Sequence, residues 1–244
     1  MSVLDPLPKD IDSFLKCYLP ENRDSVFPFV TLTYAQSLDS KIAAKAGVRT
    51  VISHPETKSM THYLRSKHEA ILVGINTVLT DNPSLNCKFN DHMITPVIID
   101  PNFKLKEYYP TSKLFSNVTS EEGKEPIVFI SNKKFELIED DLEAYLEKYP
   151  MKVISIPTDE GKMDWGLILK SLKRHSYSSV MIEGGATIIN ELLLRSDLVD
   201  SLIITIGPVF LGKDGVDVSP SAGIRLQNVN WWTGIQDSVM CANL

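Results

Sequence analysis

The sequence predicts an α/β protein with a mostly parallel central sheet and helices on both of its faces. The first observation is a set of short, unbroken apolar runs, which are typical of strands covered on both sides. The second is that these runs alternate with segments of helical spacing, and strands joined by helices form right-handed β-α-β units. The apolar share of 43% is close to the globular average of about 45–50%, which excludes disorder and fibrous repeats.

The strands are predicted from runs of β-branched and other apolar residues. Phe29–Ala35 alternates β-forming residues and is predicted to be the first core strand. Leu202–Ile206 is predicted to be the last strand before hairpin strands that reach the C-terminus. Five more buried strands are predicted at 70–74, 96–99, 127–130, 153–156 and 179–182.

The helices are predicted where apolar residues recur every three or four positions. The clearest is Phe135–Tyr149, whose acidic face we interpret as solvent-exposed. A helix over 57–67 has a natural start at His54-Pro55, because proline fits the first turn of a helix. Further helices are predicted at 10–19, at 165–174 and after Gly185, where Ile188, Ile189, Leu192 and Leu193 form the apolar side.

The composition also predicts the setting of the protein. The 244 residues contain no internal repeat or low-complexity linker, so one domain is predicted over 1–244, with 1–25 as an N-terminal helical extension. A net charge of −6 argues against nucleic-acid binding, and no apolar stretch approaches the roughly 18 residues that a membrane span needs. Three scattered cysteines and a start without secretory features predict a cytoplasmic protein.

Several common catalytic signatures are missing from the sequence, including GxGxxG, the P-loop, GxSxG and HExxH. His54-Pro55-Glu56 matches half of a zinc deaminase site, but the PCxxC half is missing, so no metal site is predicted. The other histidines share no helical spacing with an acid or a cysteine, and we interpret them as surface or packing residues. They are His62, His68, His92 and His175.

Three segments leave a predicted strand through a polar or glycine-bearing turn, and ligands of open α/β sheets bind beyond the carboxyl ends of strands. The first is Tyr34–Ile42. In the second, Gly74 permits close backbone approach, and Thr77 and Asp81 are four residues apart, which aligns them on one helical turn. That hydroxyl and carboxylate suit ribose or amide groups, although Asp81-Asn82-Pro83 is equally typical of a plain turn.

The third segment is Glu183–Thr187, in which Gly184 and Gly185 lie between a buried strand and a helix. The two glycines allow the main chain to approach a ligand, and the amides at a helix start attract phosphate. The alternative is a tight turn in which the glycines serve only geometry. We predict that Glu183 meets a polar part of the ligand, and that Arg65 or Lys88 supplies positive charge for an anionic substrate unless they are surface residues.

Taken together, these segments resemble the reductases of riboflavin biosynthesis, and most closely the stand-alone fungal and archaeal type. The resemblance spans about residues 29–212. The motifs that carry it are Ser37–Asp39, Tyr63–Arg65, Ala70–Gly74, Thr77–Leu85, Glu183–Gly185, Leu198–Asp200, Gly207–Pro208 and Leu211–Gly212. Two positions depart from the family pattern: Ser40 replaces a glycine, and Lys88 stands where arginine is common.

The resemblance implies a dihydrofolate-reductase-like fold, NADPH as hydride donor and a homodimer. It also implies a phosphorylated diaminopyrimidine as substrate, whose ribosylamino side chain is reduced to the ribitylamino group. The cofactor would contact Gly74, Thr77, Asp81, Gly184, Gly185, Ala186 and Thr187. The substrate would contact Arg65, Leu85, Lys88 and Glu183.

Hydride transfer to C1′ of the ring-opened imine needs neither a metal nor a nucleophile, which agrees with the missing motifs. Either Glu183 or Asp81 would stabilise positive charge on that imine, and spacing does not decide between them. Lys133 or Lys134 is a candidate for the 2′-phosphate of NADPH. The alternatives are a reductase of the deaminated uracil substrate or of a pteridine, and a non-catalytic NADPH-binding module.

Overall fold

A computed structural model describes residues 4–244, so residues 1–3 of the predicted N-terminal extension lie outside the described part. The seven strands predicted with stated bounds are present to within one or two residues. The strands are β1 (Phe29–Gln36), β2 (Lys41–Ala43), β3 (Ala70–Gly74), β4 (Thr95–Ile99), β5 (Ile127–Ser131), β6 (Lys152–Ile156), β7 (Thr158–Asp159), β8 (Lys162–Met163), β9 (Ser179–Gly184), β10 (Ser201–Ile206), β11 (Val216–Asp217), β12 (Gln227–Thr233) and β13 (Ser238–Asn243).

Most of the helices that connect these strands are short. They are α1 (Ile11–Leu15), α2 (Pro55–Ser66), α3 (Ile75–Asp81), α4 (Leu105–Tyr108), α5 (Lys113–Thr119), α6 (Asn132–Glu136), α7 (Glu139–Lys148), α8 (Trp165–Arg174) and α9 (Ala186–Leu192). Single 3₁₀ turns follow α1 at Lys16–Tyr18 and α4 at Tyr109–Thr111. Among residues 4–244, no helix is both long enough and apolar enough to span a membrane.

Nine of the strands form one sheet in the order β12-β13-β10-β1-β9-β3-β4-β5-β6. The seven strands from β10 to β6 are parallel. The hairpin of β12 and β13 adds an antiparallel edge next to β10. The predicted fold class, a mostly parallel sheet with a C-terminal hairpin, is therefore confirmed.

Helices cover both faces of this sheet. On one face, α8 and α9 pack on Leu72 and Ile182 within the largest apolar cluster. On the other face, α3 and α7 pack on Val73 and Ile98. The same face continues under α1 and α2, which bury Met181 at the centre of a third cluster. Alternate side chains of each parallel strand therefore supply two cores, as expected for strands buried on both sides.

The chain diverges between β3 and β9, which are neighbours in the sheet. Helix α3 leaves β3 on one face and leads to β4, whereas α9 leaves β9 on the opposite face and leads to β10. Such a reversal opens a crevice at the carboxyl ends of the strands, where ligands of open sheets bind. The two glycine-bearing turns singled out from the sequence meet at this point.

The prediction of one helix over Phe135–Tyr149 is wrong. The segment forms α6 and α7, with a break at Leu137 and Ile138, whose amides donate to carbonyls three residues back. Ser131 caps α6 directly after β5, and three acidic residues begin α7, where negative charge is favourable. The helix predicted over 10–19 is also shorter, and α4, α5 and the two small sheets have no counterpart in the prediction.

Candidate active site

The turn from β9 into α9 brings main chain to the surface of the crevice. Gly184 has φ +104°, which a residue with a side chain rarely adopts, and a Cβ there would lie 2.9 Å from Ile189 Cδ1. A Cβ on Gly185 would lie 3.3 Å from Thr77 Oγ1. Gly184 therefore serves the turn geometry, and Gly185 allows the main chain to lie close to Thr77.

Glu183 sits at an irregularity in β9. Leu72 of β3 pairs with Ile182, but the next residue of β3 pairs with Gly184, so Glu183 is the extra residue of a bulge. Bulges redirect side chains and are common beside active sites. Here the redirected carboxylate meets Arg65, whose Nε donates to Oε1 at 2.8 Å and whose Nη2 donates to Oε2 at 2.7 Å.

This ion pair is largely buried, with the side chain of Arg65 13% exposed and that of Glu183 19% exposed. Arg65 Nη1 donates a third bond to the carbonyl of Asn86 at 2.9 Å. Burial alone would lower the pKa of Arg65, but the facing Glu183 carboxylate outweighs it and raises that pKa. Arg65 is therefore a fixed positive charge whose fork is engaged by Glu183.

Helix α2 places Arg65 in its last turn, where a cation is favoured by the helix dipole. The helix begins at Pro55, and His54 Nδ1 accepts from the amide of Glu56 at 3.3 Å. At the same end, the buried Asp237 carboxylate accepts from the His54 amide at 2.7 Å. These contacts explain the helix start predicted at His54-Pro55.

Helix α3 carries Thr77 and Asp81 one turn apart, as predicted. It ends at Asn82, which has φ +42° and donates its amide to the carbonyl of Val78. Asp81 Oδ1 is buried and has no hydrogen-bond partner within the described residues 4–244. Burial raises the pKa of Asp81, an effect that the charge of Arg49 opposes. An orphaned carboxylate oxygen in this position suits a donor from a ligand.

The predicted substrate residues Leu85 and Lys88 differ in exposure, because Leu85 is buried and Lys88 is exposed. Leu85 has φ +46°, and its side chain is only 2% exposed because it packs in the cluster beneath α3. Contact with a ligand is therefore left to its main chain. Lys88 lies in the next stretch of chain, where its amide donates to His62 Nδ1 at 3.2 Å.

His62 is the site neighbour that the sequence interpretation missed. Of the two interpretations given to it, surface or packing residue, the structure supports packing, because His62 is buried; it also lies three residues before Arg65 on the same side of α2. That spacing was the available signal. The pKa of His62 is lowered to about 3, mainly by burial and further by the charges of Arg65, Lys88 and Lys58. The imidazole is therefore neutral in a cationic surrounding.

The turn after β1 closes another side of the crevice. Asp39 accepts from Ser37 Oγ at 2.5 Å and from the amides of Leu211 and Gly212 at 3.0 and 2.8 Å. These bonds, with that from Ser37 the largest influence, lower the pKa of Asp39 to about 2. Ser40 has φ +59°, so the position keeps a left-handed backbone even though its usual glycine is replaced. This motif ties two loops together.

Lys133 and Lys134 lie in α6, directly beyond the carboxyl end of β5. They are three strands away from β9, about 14 Å at the usual strand spacing. A separate groove of about 660 Å³ opens near Thr95, Ile127 and Lys152, which begin β4, β5 and β6. That groove is at the amino ends of the strands, so it is not part of the site formed by the predicted residues.

The arrangement joins two chemical halves at one crevice. One half is an exposed main-chain turn beside a hydroxyl and an unsatisfied carboxylate oxygen, which suits a polar ligand that donates and accepts hydrogen bonds. The other half is a buried carboxylate held by an arginine, with further cations behind it. A carboxylate fixed in this way is suited to a ligand group that carries positive charge, and the neighbouring cations are suited to an anionic group.

Known proteins similar to this chain identify its family. The family model described as the RibD C-terminal domain matches residues 28–240. A protein of Debaryomyces hansenii named 2,5-diamino-6-ribosylamino-4(3H)-pyrimidinone 5′-phosphate reductase is 51% identical over 255 residues, which cover 100% of both chains. The Saccharomyces cerevisiae protein of the same name is 45% identical, with 99% of this chain and 98% of that one covered.

A solved structure of the riboflavin biosynthesis reductase of Saccharomyces cerevisiae superimposes with a TM-score of 0.82. It is 42% identical in sequence, and the match covers 97% of this chain and 100% of that chain. The likeness therefore extends over the sheet, the crevice and the C-terminal hairpin.

Proposed function

We propose that this chain, which belongs to the RibD C-terminal domain family, is an NADPH-dependent reductase of riboflavin biosynthesis. Its substrate is 2,5-diamino-6-(5-phospho-ribosylamino)pyrimidin-4(3H)-one, and its product carries a ribitylamino group. The observation that supports the proposal best is the convergence at one crevice of the Arg65–Glu183 pair and the open turn at Gly185. The relatives named for this diaminopyrimidine substrate, at 51% and 45% identity, favour it over the deaminated uracil form.

The residues present fit a nicotinamide dinucleotide. The absence of a Cβ at Gly185 allows the turn to lie close to Thr77 Oγ1, and Gly185 begins α9 without a side-chain cap, so the first amides of the helix are available to phosphate. Asp81 Oδ1 is a buried acceptor without a partner among residues 4–244, which suits a ribose hydroxyl or a carboxamide. When bound, NADPH supplies the hydride that reduces C1′ of the ring-opened substrate.

Glu183 is the carboxylate that we assign to the reacting carbon. Two hydrogen bonds from Arg65 fix its orientation and favour its ionised form. An ionised carboxylate beside the imine stabilises the positive charge there, and it does so without rearrangement because the pair already exists. Asp81 then serves the cofactor, and Lys88 meets the 5′-phosphate.

The assay that tests this function measures dinucleotide oxidation by the parent chain with three substrates: the diaminopyrimidine, its deaminated uracil form and dihydrofolate. We expect turnover with the diaminopyrimidine, at a kcat/KM at least tenfold above the other two. We also expect NADPH to be preferred to NADH. Binding of NADPH without turnover of any ribosylaminopyrimidine would show a binding module instead of an enzyme.

Two further properties belong to the proposal. The chain is a homodimer, which sedimentation at micromolar concentration checks, and it acts in the cytoplasm, which imaging of a tagged chain checks. A monomer across the range of concentrations used for the assay would contradict the first of these.

A further inference from the structure

The segment Asn86–Phe89 is bound along one side of α2 by main-chain contacts. The carbonyl of Asn86 accepts from Arg65 Nη1, and the amide of Lys88 donates to His62 Nδ1. Cys87 Sγ donates to the carbonyl of His62 at 3.3 Å. The two side chains that hold this segment, His62 and Arg65, are three residues apart in α2 and so project from the same side of the helix.

The protonation state of His62 follows from its partner. A main-chain N–H can only donate, so Nδ1 must carry its lone pair toward Lys88, and the ring proton belongs on Nε2. The ring is 6% exposed and is surrounded by the charges of Arg65, Lys88 and Lys58. A second proton would break the bond to Lys88 and add a buried charge among cations, so the ring stays neutral.

We propose that His62 is a positioning residue, which holds the main chain of Lys88 and thereby sets where the lysine ammonium meets the 5′-phosphate of the substrate. The inference rests on the proposed function, which supplies that phosphate. A lysine ammonium on a four-carbon stem is a movable point charge, so the main-chain anchor determines its reach.

A pair of variants separates this role from simple packing. His62→Asn keeps an acceptor near the place of Nδ1, whereas His62→Leu fills similar space without one. For His62→Leu, we expect the substrate KM to rise about tenfold, because the amide of Lys88 loses its buried acceptor. We expect kcat and the Kd of NADPH to stay within twofold of the parent, and His62→Asn to restore KM to within threefold.

A readout that needs no turnover is calorimetric binding of ribose 5-phosphate to the chain without dinucleotide. His62→Leu should weaken this binding by about the same factor as it raises KM, and His62→Asn should recover it. If His62→Leu fails to fold, His62→Gln replaces it, since its amide reaches the place of Nε2 and leaves Lys88 without its acceptor.

The ratio of substrate KM between His62→Asn and the parent should be constant from pH 5.5 to 8, because the phosphate titrates equally in both chains. Parent-like KM and ribose 5-phosphate binding in His62→Leu, or a ratio that changes through pH 6.5, would overturn the positioning role. A parent chain that never oxidises NADPH would instead refute the proposed function, while the ribose 5-phosphate arm still tests His62.

Discussion

The two halves of the crevice are built by different means. At the β9–α9 turn, glycines expose main chain, and the side of the crevice is defined by the absence of Cβ atoms. Along α2, side chains form the site: Arg65 donates to the carboxylate of Glu183, and His62 accepts from the amide of Lys88. The first half requires only local geometry, whereas the second depends on contacts between α2, β9 and the chain after α3. Damage to the two halves should therefore have different signatures.

The largest effect is expected from Arg65→Ala, which leaves the buried Glu183 carboxylate without its partner. Removing one member of a buried pair costs about 3–5 kcal/mol of unfolding free energy. We also expect the substrate KM to rise more than tenfold, with NADPH affinity nearly unchanged. Urea unfolding, steady-state kinetics and calorimetry measure the three quantities.

Glu183→Gln completes the double-mutant cycle. The double variant should be less destabilised than the sum of the two single variants, since the uncompensated charge is gone. Glu183→Gln alone should lower the single-turnover rate. An unchanged single-turnover rate, or additive losses of stability, would mean that Arg65 and Glu183 do not act as a pair in the half of the crevice along α2.

Gly185→Ala tests the main-chain half. The added Cβ would lie 3.3 Å from Thr77 Oγ1, a tight contact that would displace the turn that we assign to the cofactor. NADPH affinity should fall about tenfold, roughly 1.4 kcal/mol, while the substrate KM stays within twofold. Gly223→Ala is the matched control, because no atom of the described residues 4–244 lies within 4 Å of a Cβ there. Equal NADPH affinity in both variants would remove the turn from the cofactor site.

Features that depend on short-range sequence patterns were predicted, whereas features that depend on contacts between distant segments were not. The strands, the glycine turn and the Thr77–Asp81 spacing depend on short-range patterns, and the structure places all of them as expected. The break at Leu137 and Ile138 was missed, because an apolar stripe continues through it and only the i to i−3 hydrogen bonds of these two amides end α6 early. The bulge at Glu183 and the role of His62 were missed because both depend on pairing between distant segments.

The pH dependence of the unfolding free energy should differ between buried and exposed histidines. Burial lowers the pKa of His68 to about 4, and its ring lies 2.7 Å from both the Leu64 carbonyl and Thr31 Oγ1. Below pH 6.5, His68 binds a proton in the unfolded chain but not in the folded chain. The free energy of unfolding therefore has its full value above pH 6.5 and falls toward pH 4.

Each such histidine contributes a slope of about 1.4 kcal/mol per pH unit in that window. His68→Asn should reduce the slope by this amount in urea unfolding between pH 6 and 4.5. His175→Asn, at an exposed position, should leave the slope unchanged. Identical slopes in all three chains would mean that His68 is protonated in the folded state.

The smallest effect is expected at the turn after β1, where Ser40 keeps a left-handed backbone. Ser40→Gly should raise the unfolding free energy by about 0.5 kcal/mol, because relief of strain exceeds the added entropy of the unfolded chain. Ser53, whose φ is not positive, provides the control, since Ser53→Gly should lower stability. A loss of stability in Ser40→Gly would show that the serine hydroxyl matters more than the backbone.

The most direct measurement is a crystal structure of the chain grown with NADPH. We predict dinucleotide phosphates against the main chain of Gly185 to Thr187, with the nicotinamide on the side of Glu183. Density for the dinucleotide elsewhere, with this turn empty, would contradict the assignment of the crevice and the function built on it.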